Sequence, residues 1–423
     1  MTMLVKLARI LGCPIEEHLP ISSYVFDSRS VQKGSLFFAL KGAKVDGHDF
    51  LQEVKERGAY AAVVSKRYQG PDYGLILLYV EDPLEALQRL AREILKERKT
   101  RIIGVTGSVG KTTTKEFIAK ILEAKYKIGK NPLSYNSQVT LPMVILNAKG
   151  NEDFLVLEMS MTEKGHLKKL VSIAPPEIVV ITPIVLCHAS RFEGVEDIAA
   201  AKAEIFTSKC QFAVIHTKSA HLQAIQEACT SENMLYPYDN PEIASPFRET
   251  HLTENFMGAV EVALHLGLTQ EQIRVQARLL KPMQHRFEKK MIRNITVIDD
   301  SYNANPTSVF AALMNLPKPA KQGKTIAILG SMADLGKFSY LSHQQVGEEA
   351  LKRVDQLYCI GEECRPMVDL FTKAGKSVEI FSDYNLLKKV ARDSAEAGDV
   401  VLVKGSNFHK LWEVVDFIGE PVG

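Results

Sequence analysis

The chain has 423 residues, more than one ordinary hydrophobic core accommodates, so two or three domains are expected. Hydrophobic residues make up 46% and charged residues 24%, as in a typical globular protein, and a formal net charge of +2 excludes a broad electrostatic field for nucleic acid or a membrane surface. No apolar run reaches about 18 residues, so no membrane span is predicted. The six scattered cysteines lack metal-binding spacing, which predicts reduced thiols in a cytoplasmic protein.

The N-terminal segment is predicted to alternate strands and helices. It opens with an amphipathic helix, and strands are predicted at 34–40 and 60–65 with a helix at 48–59 between them. Residues 82–99 form a second, long helix with apolar side chains at helical spacing. The charged tail of this helix is the predicted end of a first domain, residues 1–97.

The central segment continues the alternation. A buried-type strand, RIIGVTG, leads into a glycine loop and a helix, and further strands are predicted at 154–159, 177–184 and 212–216. Strands that alternate with helices predict a parallel sheet covered by helices. A long helix at 254–267 follows, and Pro282 marks the predicted end of a second domain, residues 98–282.

The C-terminal segment, residues 283–423, starts the alternation again. Its predicted strands are 295–302, 325–331, 356–361, 377–382 and 399–406. This pattern predicts a second doubly wound sheet. The expected fold class is therefore α/β, with three domains.

The stretch GVTGSVGKTTT, residues 104–114, is typical of a phosphate-binding loop. It lies where a strand becomes a helix, and there the free amide N–H groups and the helix dipole favour bound phosphate. Lys111 would reach the β- and γ-phosphates, and the Thr112 hydroxyl suits Mg²⁺. Val105 replaces the first glycine of the longer loop, so this is a shorter GxxGKT form. An ordinary glycine-rich turn is the competing interpretation, but the threonine run and following helix favour nucleotide binding.

Two residues at strand ends are candidate metal ligands. Glu158 ends the predicted strand FLVLE, where a carboxylate beside such a loop helps to hold a metal ion. His188 follows the next strand, in ITPIVLCHAS. A solvated rim glutamate and a structural histidine are the competing interpretations.

The stretch VIDDSYNANPTS, residues 297–308, is the most distinctive one in the chain. A strand ends in two acids, Asp299 and Asp300, which several hydrogen-bonding residues follow ahead of a proline. An acidic turn with an Asx cap would explain part of this pattern, but not its concentration of polar groups. Arg286, in the preceding HRFE, lies at the predicted domain boundary, where it could meet a γ-phosphate from the opposite side.

Together these stretches resemble the Mur ligases, the ATP-dependent amide-forming enzymes of peptidoglycan synthesis. The glycine loop is similar to the family's ATP loop, Glu158 to its metal glutamate and Arg286 to its inter-domain arginine. The resemblance runs nearly end to end. It implies a three-domain architecture: an N-terminal UDP-substrate domain, a central P-loop ATPase-like domain with a parallel sheet, and a C-terminal Rossmann-like domain.

Within the family, the chain resembles the member that adds D-alanyl-D-alanine to UDP-N-acetylmuramoyl-tripeptide. DDSYNANP and GSMADLGKFSYLSHQQVG (330–347) carry this likeness, and residues 27–50 resemble a UDP-substrate domain. The implied reaction moves the γ-phosphoryl group of ATP to the peptide carboxylate, and the dipeptide amine then attacks the acyl phosphate. The implied partners are these small molecules, without nucleic acid or membrane insertion, and a monomer is expected.

Three alternatives remain open from the sequence. The preceding family member, which adds the third amino acid to the muramoyl dipeptide, carries a D(D/N)PR motif in its last domain. The look-alike YDNPEIAS (238–245) lies in the middle domain and has Glu242 in place of the arginine. Folylpolyglutamate synthetase shares the middle-domain chemistry but lacks the UDP-substrate domain. A regulatory ATPase without ligase activity is the third alternative.

The resemblance also implies roles for individual residues. His188 and Lys202 have the spacing of the family's metal histidine and carbamoylated lysine, although Lys202 alone would be interpreted as a solvated helix lysine. Two Mg²⁺ would be held by Thr112, Glu158, His188 and carbamoylated Lys202, and the catalytic set is Lys111, Lys202, His188 and Arg286. The implied ATP contacts are Gly107, Ser108, Gly110, Lys111, Thr112, Thr113, Asn255, Arg286, Asp300 and Asn303. The implied contacts to the other substrates are Ser28, Arg29, Lys41, Asp46, His48, Asn136 and Asn305.

Four positions depart from the family's patterns. In the NNxIGxP loop, Asn136 matches one asparagine, but Ser137 replaces the second and Thr140 replaces the glycine. In the HNxxNA helix, Asn255 is kept, but Glu254 replaces the histidine and Gly258 the second asparagine. Since that second asparagine is expected to contact adenine, the mode of adenine recognition is left open.

Overall fold

The computed structural model describes residues 2–187, 189–237 and 242–420, and three larger sheets divide the chain. In the N-terminal unit a parallel sheet has the order β3-β4-β5-β6, and a small antiparallel pair, β1 with β2, lies beside it. The elements are β1 Thr2–Met3, α1 Leu4–Leu11, β2 Pro20–Ile21, β3 Ser23–Val25, β4 Ser35–Phe38, α2 Leu51–Glu56, β5 Ala61–Ser65, β6 Ile76–Val80 and α3 Pro83–Lys96.

Helix α3 shows how local sequence fixes an element here. The Asp82 side chain accepts a hydrogen bond from the Leu84 N–H at 2.7 Å, and Pro83 occupies the first helical position, where its missing N–H costs nothing. Leu87 and Leu90 are fully buried on the face that packs against the sheet. The helix therefore ends the N-terminal unit as a well-capped amphipathic element.

The central unit is an all-parallel sheet of six strands in the order β12-β11-β10-β7-β9-β8. Strand β7, which leads into the glycine loop, lies in the middle, so its end faces the strand ends of β9 and β10. The elements are β7 Arg101–Thr106, α4 Lys111–Leu122, β8 Ile128–Lys130, α5 Thr140–Asn147, β9 Phe154–Glu158, α6 His166–Ile173, β10 Ile178–Ile181, α7 Val195–Ala203, β11 Phe212–His216, α8 Leu222–Ala228, β12 Glu232–Tyr236, α9 Thr250–His265 and α10 Gln270–Ala277.

The C-terminal unit has a second six-stranded sheet, in the order β13-β14-β18-β15-β16-β17. All of its pairings are parallel except β13 with β14, a hairpin at the edge. The elements are β13 Glu288–Ile292, β14 Ile295–Asp299, α11 Pro306–Met314, β15 Thr325–Gly330, α12 Ser339–Arg353, β16 Gln356–Ile360, α13 Arg365–Lys373, β17 Ser377–Phe381, α14 Tyr384–Ser394, β18 Val400–Lys404 and α15 Trp412–Ile418.

The predicted α/β fold class is confirmed, and the differences lie at the edges of the sheets. Strands β8, β12 and β13 were not predicted, because they are short or alternate exposed and half-buried side chains and so lack a strong apolar signal. Strands β1, β2, β3 and β6 of the N-terminal unit were also not predicted. The long helix predicted at 254–267 starts earlier, at Thr250. The domain boundaries after residues 97 and 282 remain predictions.

Hydrogen bonds connect the three units to one another. The Asn147 amide at the end of α5 accepts from the Tyr24 N–H at 3.0 Å and donates to the Tyr24 carbonyl at 2.9 Å, which joins the N-terminal and central units. The central and C-terminal units meet where the Ser190 N–H donates to the Asp334 carbonyl at 3.0 Å. Within the described ranges, no helix has both the length and the apolar character that a membrane crossing requires.

Candidate active site

The glycine loop between β7 and α4 has the backbone geometry of an anion site. Gly107 has φ 143° and Gly110 has φ 81°, a region that favours glycine. A Cβ on Gly107 would collide with Thr182, and one on Gly110 would collide with the Asn255 amide oxygen. Only glycine fits at either position, and the loop therefore presents bare backbone at the N-terminus of α4.

The side chains of this loop are held by their own neighbours. The Lys111 ammonium donates to the Ser108 carbonyl at 3.0 Å. The Ser108 hydroxyl donates to the Val185 carbonyl at 2.8 Å and accepts from the Val185 N–H at 3.1 Å, so it ties the loop to the segment after β10. Thr113 is buried in the first turn of α4. Ser108 thus fixes the loop, while Lys111 folds back onto it.

Glu158, at the end of β9, is the centre of a small polar cluster. Its carboxylate is buried and accepts two hydrogen bonds, from the Thr112 hydroxyl at 2.7 Å and from the Asn136 amide at 2.7 Å. Asn131 pairs with the Glu158 backbone, accepting from its N–H at 2.8 Å. Three residues that the sequence singled out separately, Thr112, Asn136 and Glu158, are therefore brought together.

Lys115 is a functional candidate that sequence reasoning missed. It lies one turn into α4 and is fully buried, and its ammonium donates to the carbonyls of Asn131 at 2.6 Å and Leu133 at 2.8 Å. Burial lowers the pKa of Lys115, while the charges of Glu116 and Glu158 oppose that shift. The lysine fixes the loop that carries Asn136; its only sequence signal was its place inside the TTTK run.

Lys202, on α7, is buried rather than solvated. It is 1% exposed, and burial lowers its pKa to about 7, with a further contribution from the nearby charge of Lys111. Glu158 and Cys187 shift the pKa in the opposite direction. The side chain therefore lies close to the charges of Lys111 and Glu158. His188 lies outside the described residues, as do residues 238–241 of the YDNPEIAS stretch.

The C-terminal unit contributes Arg286 to this cluster. Its guanidinium donates to the Thr112 hydroxyl at 3.1 Å and lies 4.1 Å above the ring of Tyr302. The residues on either side, His285 and Phe287, have φ values of 59° and 54°. Left-handed backbone is strained for such side chains, so the turn that presents Arg286 needs support from its surroundings.

The two acids of DDSY provide that support from both sides of Arg286. The Asp299 carboxylate hydrogen-bonds the His285 imidazole Nδ1 at 2.8 Å, and the Asp300 carboxylate accepts from the Phe287 N–H at 3.1 Å. Burial tends to raise the pKa of Asp299, but hydrogen bonds from Lys290, Ser301 and His285 outweigh it and lower that pKa. The acidic pair therefore holds the turn rather than pointing into open solvent.

The asparagines of DDSYNANP have different environments. The Asn305 side chain accepts from the Ser308 N–H at 2.9 Å and caps α11, which agrees with the Asx-cap interpretation of this stretch. Asn303 is exposed, and its carbonyl accepts from the Lys404 ammonium at 2.9 Å. Neither asparagine joins the Thr112–Glu158 cluster, so their ATP and substrate roles stay predictions.

The altered HNxxNA helix packs differently around its kept asparagine. Asn255, on α9, accepts from the Thr114 hydroxyl at 3.2 Å beside the glycine loop. A Cβ on Gly258 would lie 2.8 Å from the buried ring of Tyr236 at the end of β12, so this tyrosine takes the space of a larger side chain. Glu254 pairs instead with His216 at 3.4 Å and with Lys218 at 2.5 Å.

The altered NNxIGxP loop contains a reciprocal pair of hydrogen bonds next to α5. The Ser137 hydroxyl accepts from the Thr140 N–H at 3.2 Å, and the Thr140 hydroxyl accepts from the Ser137 N–H at 3.0 Å. This pair of hydrogen bonds resembles a capping box and closes the turn that leads into α5, whose own N-cap, Val139, makes no side-chain cap hydrogen bond. The two departures from the family pattern therefore hydrogen-bond to each other.

The substrate residues predicted in the N-terminal unit lie apart from the cluster. His48 uses both ring nitrogens inside the chain: Nδ1 pairs with Asp46 at 2.6 Å, and Nε2 accepts from the Ser65 N–H at 3.0 Å. Arg29 is exposed and pairs with Asp27, Ser28 is buried, and Lys41 is exposed. The structure gives these residues no contact with the central cluster, and their substrate roles remain predictions.

Taken together, the cluster is suited to a polyphosphate and to charge that develops on its terminal group. It combines a bare backbone loop, two cations from different units (Lys111 and Arg286), and a buried carboxylate next to a hydroxyl. Carboxylate and hydroxyl oxygens are the ligands that Mg²⁺ prefers. Such an arrangement can bind a nucleotide and stabilise phosphoryl transfer.

Three family models match this chain, and together they cover most of it. Residues 20–94 match the model of the Mur ligase family catalytic domain, residues 105–273 the Mur ligase middle domain, and residues 285–407 the Mur ligase glutamate ligase domain. The matches leave short gaps near the two inter-unit connections.

Individual relatives cover nearly the whole chain. The UDP-N-acetylmuramoyl-tripeptide–D-alanyl-D-alanine ligase of Bacillus subtilis is 30% identical, over 97% of this chain and 96% of its own length. The MurF ligase of Thermotoga maritima, solved with ADP, is 26% identical with a TM-score of 0.79, covering 96% of this chain and 98% of that one. MurF of Acinetobacter baumannii has a TM-score of 0.86 at 23% identity, covering 99% of both chains. The chain therefore belongs to the Mur ligase family, among the UDP-N-acetylmuramoyl-tripeptide–D-alanyl-D-alanine ligases.

Proposed function

We propose that this chain joins D-alanyl-D-alanine to UDP-N-acetylmuramoyl-tripeptide and cleaves ATP to ADP and phosphate, as the names of its relatives describe. The observation that carries the proposal is the contact of Arg286 with Thr112, through which the C-terminal unit reaches the phosphate loop of the central unit. In a ligase the nucleotide must be activated only when the nucleophile is in place. Because Arg286 comes from the C-terminal unit, the site around the phosphate loop is complete only when that unit is in place, and this meets the requirement.

Lys111 and Arg286 have the main electrostatic task in this proposal. When the γ-phosphoryl group passes to a carboxylate, one anion attacks another, and the barrier falls only if positive charge is already positioned around the transferred group. Lys111 approaches from the loop, and Arg286 approaches from the opposite unit. Closure of the units around the site would also exclude water, which would otherwise hydrolyse the acyl phosphate.

The described residues fit the expected Mg²⁺. Thr112 Oγ1 and Glu158 Oε2 are 2.7 Å apart, which places two hard oxygen ligands side by side at the end of the loop. Bound there, Mg²⁺ would neutralise charge on the phosphate oxygens. We assign Thr112 and Glu158 to one ion, and His188 with a carbamoylated Lys202 to the other.

Carbamoylation of Lys202 is chemically reasonable at this position. The step forms a bond between the lysine nitrogen and the carbon of CO₂ and releases a proton, so the amine must be neutral. A pKa of about 7, caused by burial, leaves a large neutral fraction at physiological pH. The product is a carboxylate beside the Lys111–Glu158 cluster, where it could ligate a metal ion.

The alternatives from the sequence are less well supported. The relatives that cover nearly the whole chain carry the name of the D-alanyl-D-alanine ligase, not that of the ligase adding the third residue. Membership among these ligases also disfavours a regulatory ATPase. The accompanying expectations, a monomer in the cytoplasm with a part in cell shape and cell division, and domains 1–97, 98–282 and 283–423, remain predictions.

Product mass tests the substrate assignment directly. The enzyme is incubated with ATP, Mg²⁺, UDP-MurNAc-tripeptide and D-Ala-D-Ala, and mass spectrometry should detect the UDP-pentapeptide. The control offers UDP-MurNAc-dipeptide with free diaminopimelate or lysine, which should give no product. Reaction of the dipeptide acceptor without reaction of the tripeptide would identify the preceding ligase instead.

A further inference from the structure

A second buried lysine, Lys404, lies at the end of β18 behind the Arg286 turn. It is 2% exposed, and its ammonium pairs with the Asp300 carboxylate at 2.7 Å and donates to the Asn303 carbonyl at 2.9 Å. Burial lowers the pKa of Lys404, the charge of Asp300 opposes that shift, and the nearby charge of Arg286 adds to it. A buried ammonium is costly unless an anionic partner compensates it, and here that partner is Asp300.

The partner, Asp300, connects Lys404 to the turn that presents Arg286. The same carboxylate that pairs with Lys404 accepts from the Phe287 N–H at 3.1 Å. Phe287 and His285 both have left-handed backbone, which relaxes unless surrounding contacts oppose it. The Asp300 contact is one of those contacts, and Lys404 fixes the orientation of the carboxylate that makes it.

We propose that Lys404 is a positioning residue that acts through Asp300 to hold Arg286 against the phosphate loop. The inference rests on the proposed function only in that Arg286 acts on bound nucleotide. When a catalytic cation is displaced by about 1 Å from the group being transferred, the reaction rate can fall on the order of 10²-fold. Lys404 would therefore affect the rate of the reaction without touching a substrate.

A double-mutant cycle separates this role from a general role in folding. We expect Lys404→Met to lower kcat by at least about tenfold, with a smaller change in the KM for the UDP-tripeptide. If Lys404 acts through Arg286, the double variant with Arg286→Ala should be no slower than Arg286→Ala alone. Effects that multiply in the double variant would overturn the proposal, as would a kcat within twofold of wild type in Lys404→Met.

Lys376 provides a matched control in the same unit. Its ammonium also donates to two backbone carbonyls, those of Leu351 and Val354, both at 2.9 Å, but it lies away from the Arg286 turn. Lys376→Met should lower the melting temperature without changing kcat. A comparable fall in kcat for Lys376→Met would show that loss of a lysine in this unit acts through stability, which would contradict the proposal.

The only tryptophan of the chain offers a readout that needs no substrate. The Trp412 ring centroid lies 5.8 Å from that of His285, on the same turn as Arg286. In the wild-type background, His285→Phe should change the Trp412 emission because it removes the adjacent imidazole. In the Lys404→Met background the same replacement should change the emission by a different amount, because the turn without its Asp300 support holds residue 285 differently beside Trp412.

These emission measurements also distinguish the failure of each proposal. If the enzyme forms no UDP-pentapeptide, the proposed function fails, yet Trp412 emission still reports on the turn. An equal response to His285→Phe in both backgrounds would show that Lys404 does not hold the turn. Should Lys404→Met not fold, Asp300→Asn tests the same link from the other side, and unchanged emission and kcat in that variant would overturn the inference.

Discussion

At the residue scale, three lysines in and around this site are buried, and the sequence alone does not reveal their burial. Lys115, Lys202 and Lys404 are each at most 2% exposed, and burial lowers the pKa of each. In a linear sequence a buried lysine and a solvated one look alike, since nothing in the neighbouring residues reports what covers the ammonium. The glycine loop, in contrast, could be predicted because its chemistry is contained in consecutive residues.

Lys202 leads to a prediction about rescue. Lys202→Ala should lose most activity, because the carbamate oxygens are missing, and an added small carboxylate such as formate should restore part of it. Lys111→Ala should also lose activity but should not respond to formate, because it lacks a cation. Turnover measured at several formate concentrations tests this. A fully active Lys202→Ala variant would contradict the assignment.

The pH dependence of reactivation tests the same lysine in the wild-type enzyme. The pKa near 7 lies below the ordinary lysine value of 10.5, so the amine is neutral above about 7 and protonated below it. After CO₂ is removed, activity should therefore return faster with bicarbonate at pH 8 than at pH 6. Reactivation that is independent of pH, compared at equal dissolved CO₂, would be evidence against carbamoylation.

At the element scale, helix α9 and strand β12 have adapted to each other. Gly258 on the helix and Tyr236 on the strand are in contact at a point where no Cβ fits, and the tyrosine ring also packs edge-on against His216. The sequence showed the exchange at 258 as a departure from the family pattern. The sequence could not show that Tyr236 faces this glycine, because edge strand β12 carries little apolar signal and had not been predicted.

This contact predicts a stability change at Gly258. Gly258→Ala should destabilise the protein by about 1–3 kcal/mol, because the new methyl group overpacks a buried ring. Urea unfolding measures the change, and Gly375→Ala provides a control, since a Cβ there meets nothing within 4 Å although its φ of 67° adds strain. A Gly258→Ala variant as stable as wild type would show that Tyr236 moves aside freely.

At the scale of the whole molecule, the site depends on how the central and C-terminal sheets meet. The order of strands and helices could be predicted well from apolar patterns, as the buried strands of the two six-stranded sheets show. The meeting of Arg286 with Thr112 could not, because the two residues are far apart in sequence and belong to different units. The position of Arg286 at a domain boundary suggested a role opposite the γ-phosphate, and the resemblance to a family supported it, but neither indicated the contact with Thr112.

The joint between the N-terminal and central units provides a test at this scale. Asn147→Ala removes both hydrogen bonds to the Tyr24 backbone and should raise the KM for UDP-tripeptide severalfold, because the unit expected to hold that substrate becomes looser. The KM for ATP should change little. Asn315→Ala, which removes an amide contact within α11, is the control. Equal changes in both KM values would contradict a local joint.

The contact between Tyr236 and Gly258 also restricts the order in which this chain could change over evolutionary time. An asparagine at 258 would be rejected while the large ring occupies its space, and a small residue at 236 alone would leave a void in the protein interior. The two positions therefore form an epistatic pair: each substitution alone should destabilise the protein, and the two together should compensate each other. A change from tyrosine and glycine to a smaller residue and asparagine would therefore pass through a less stable single variant, whichever position changes first.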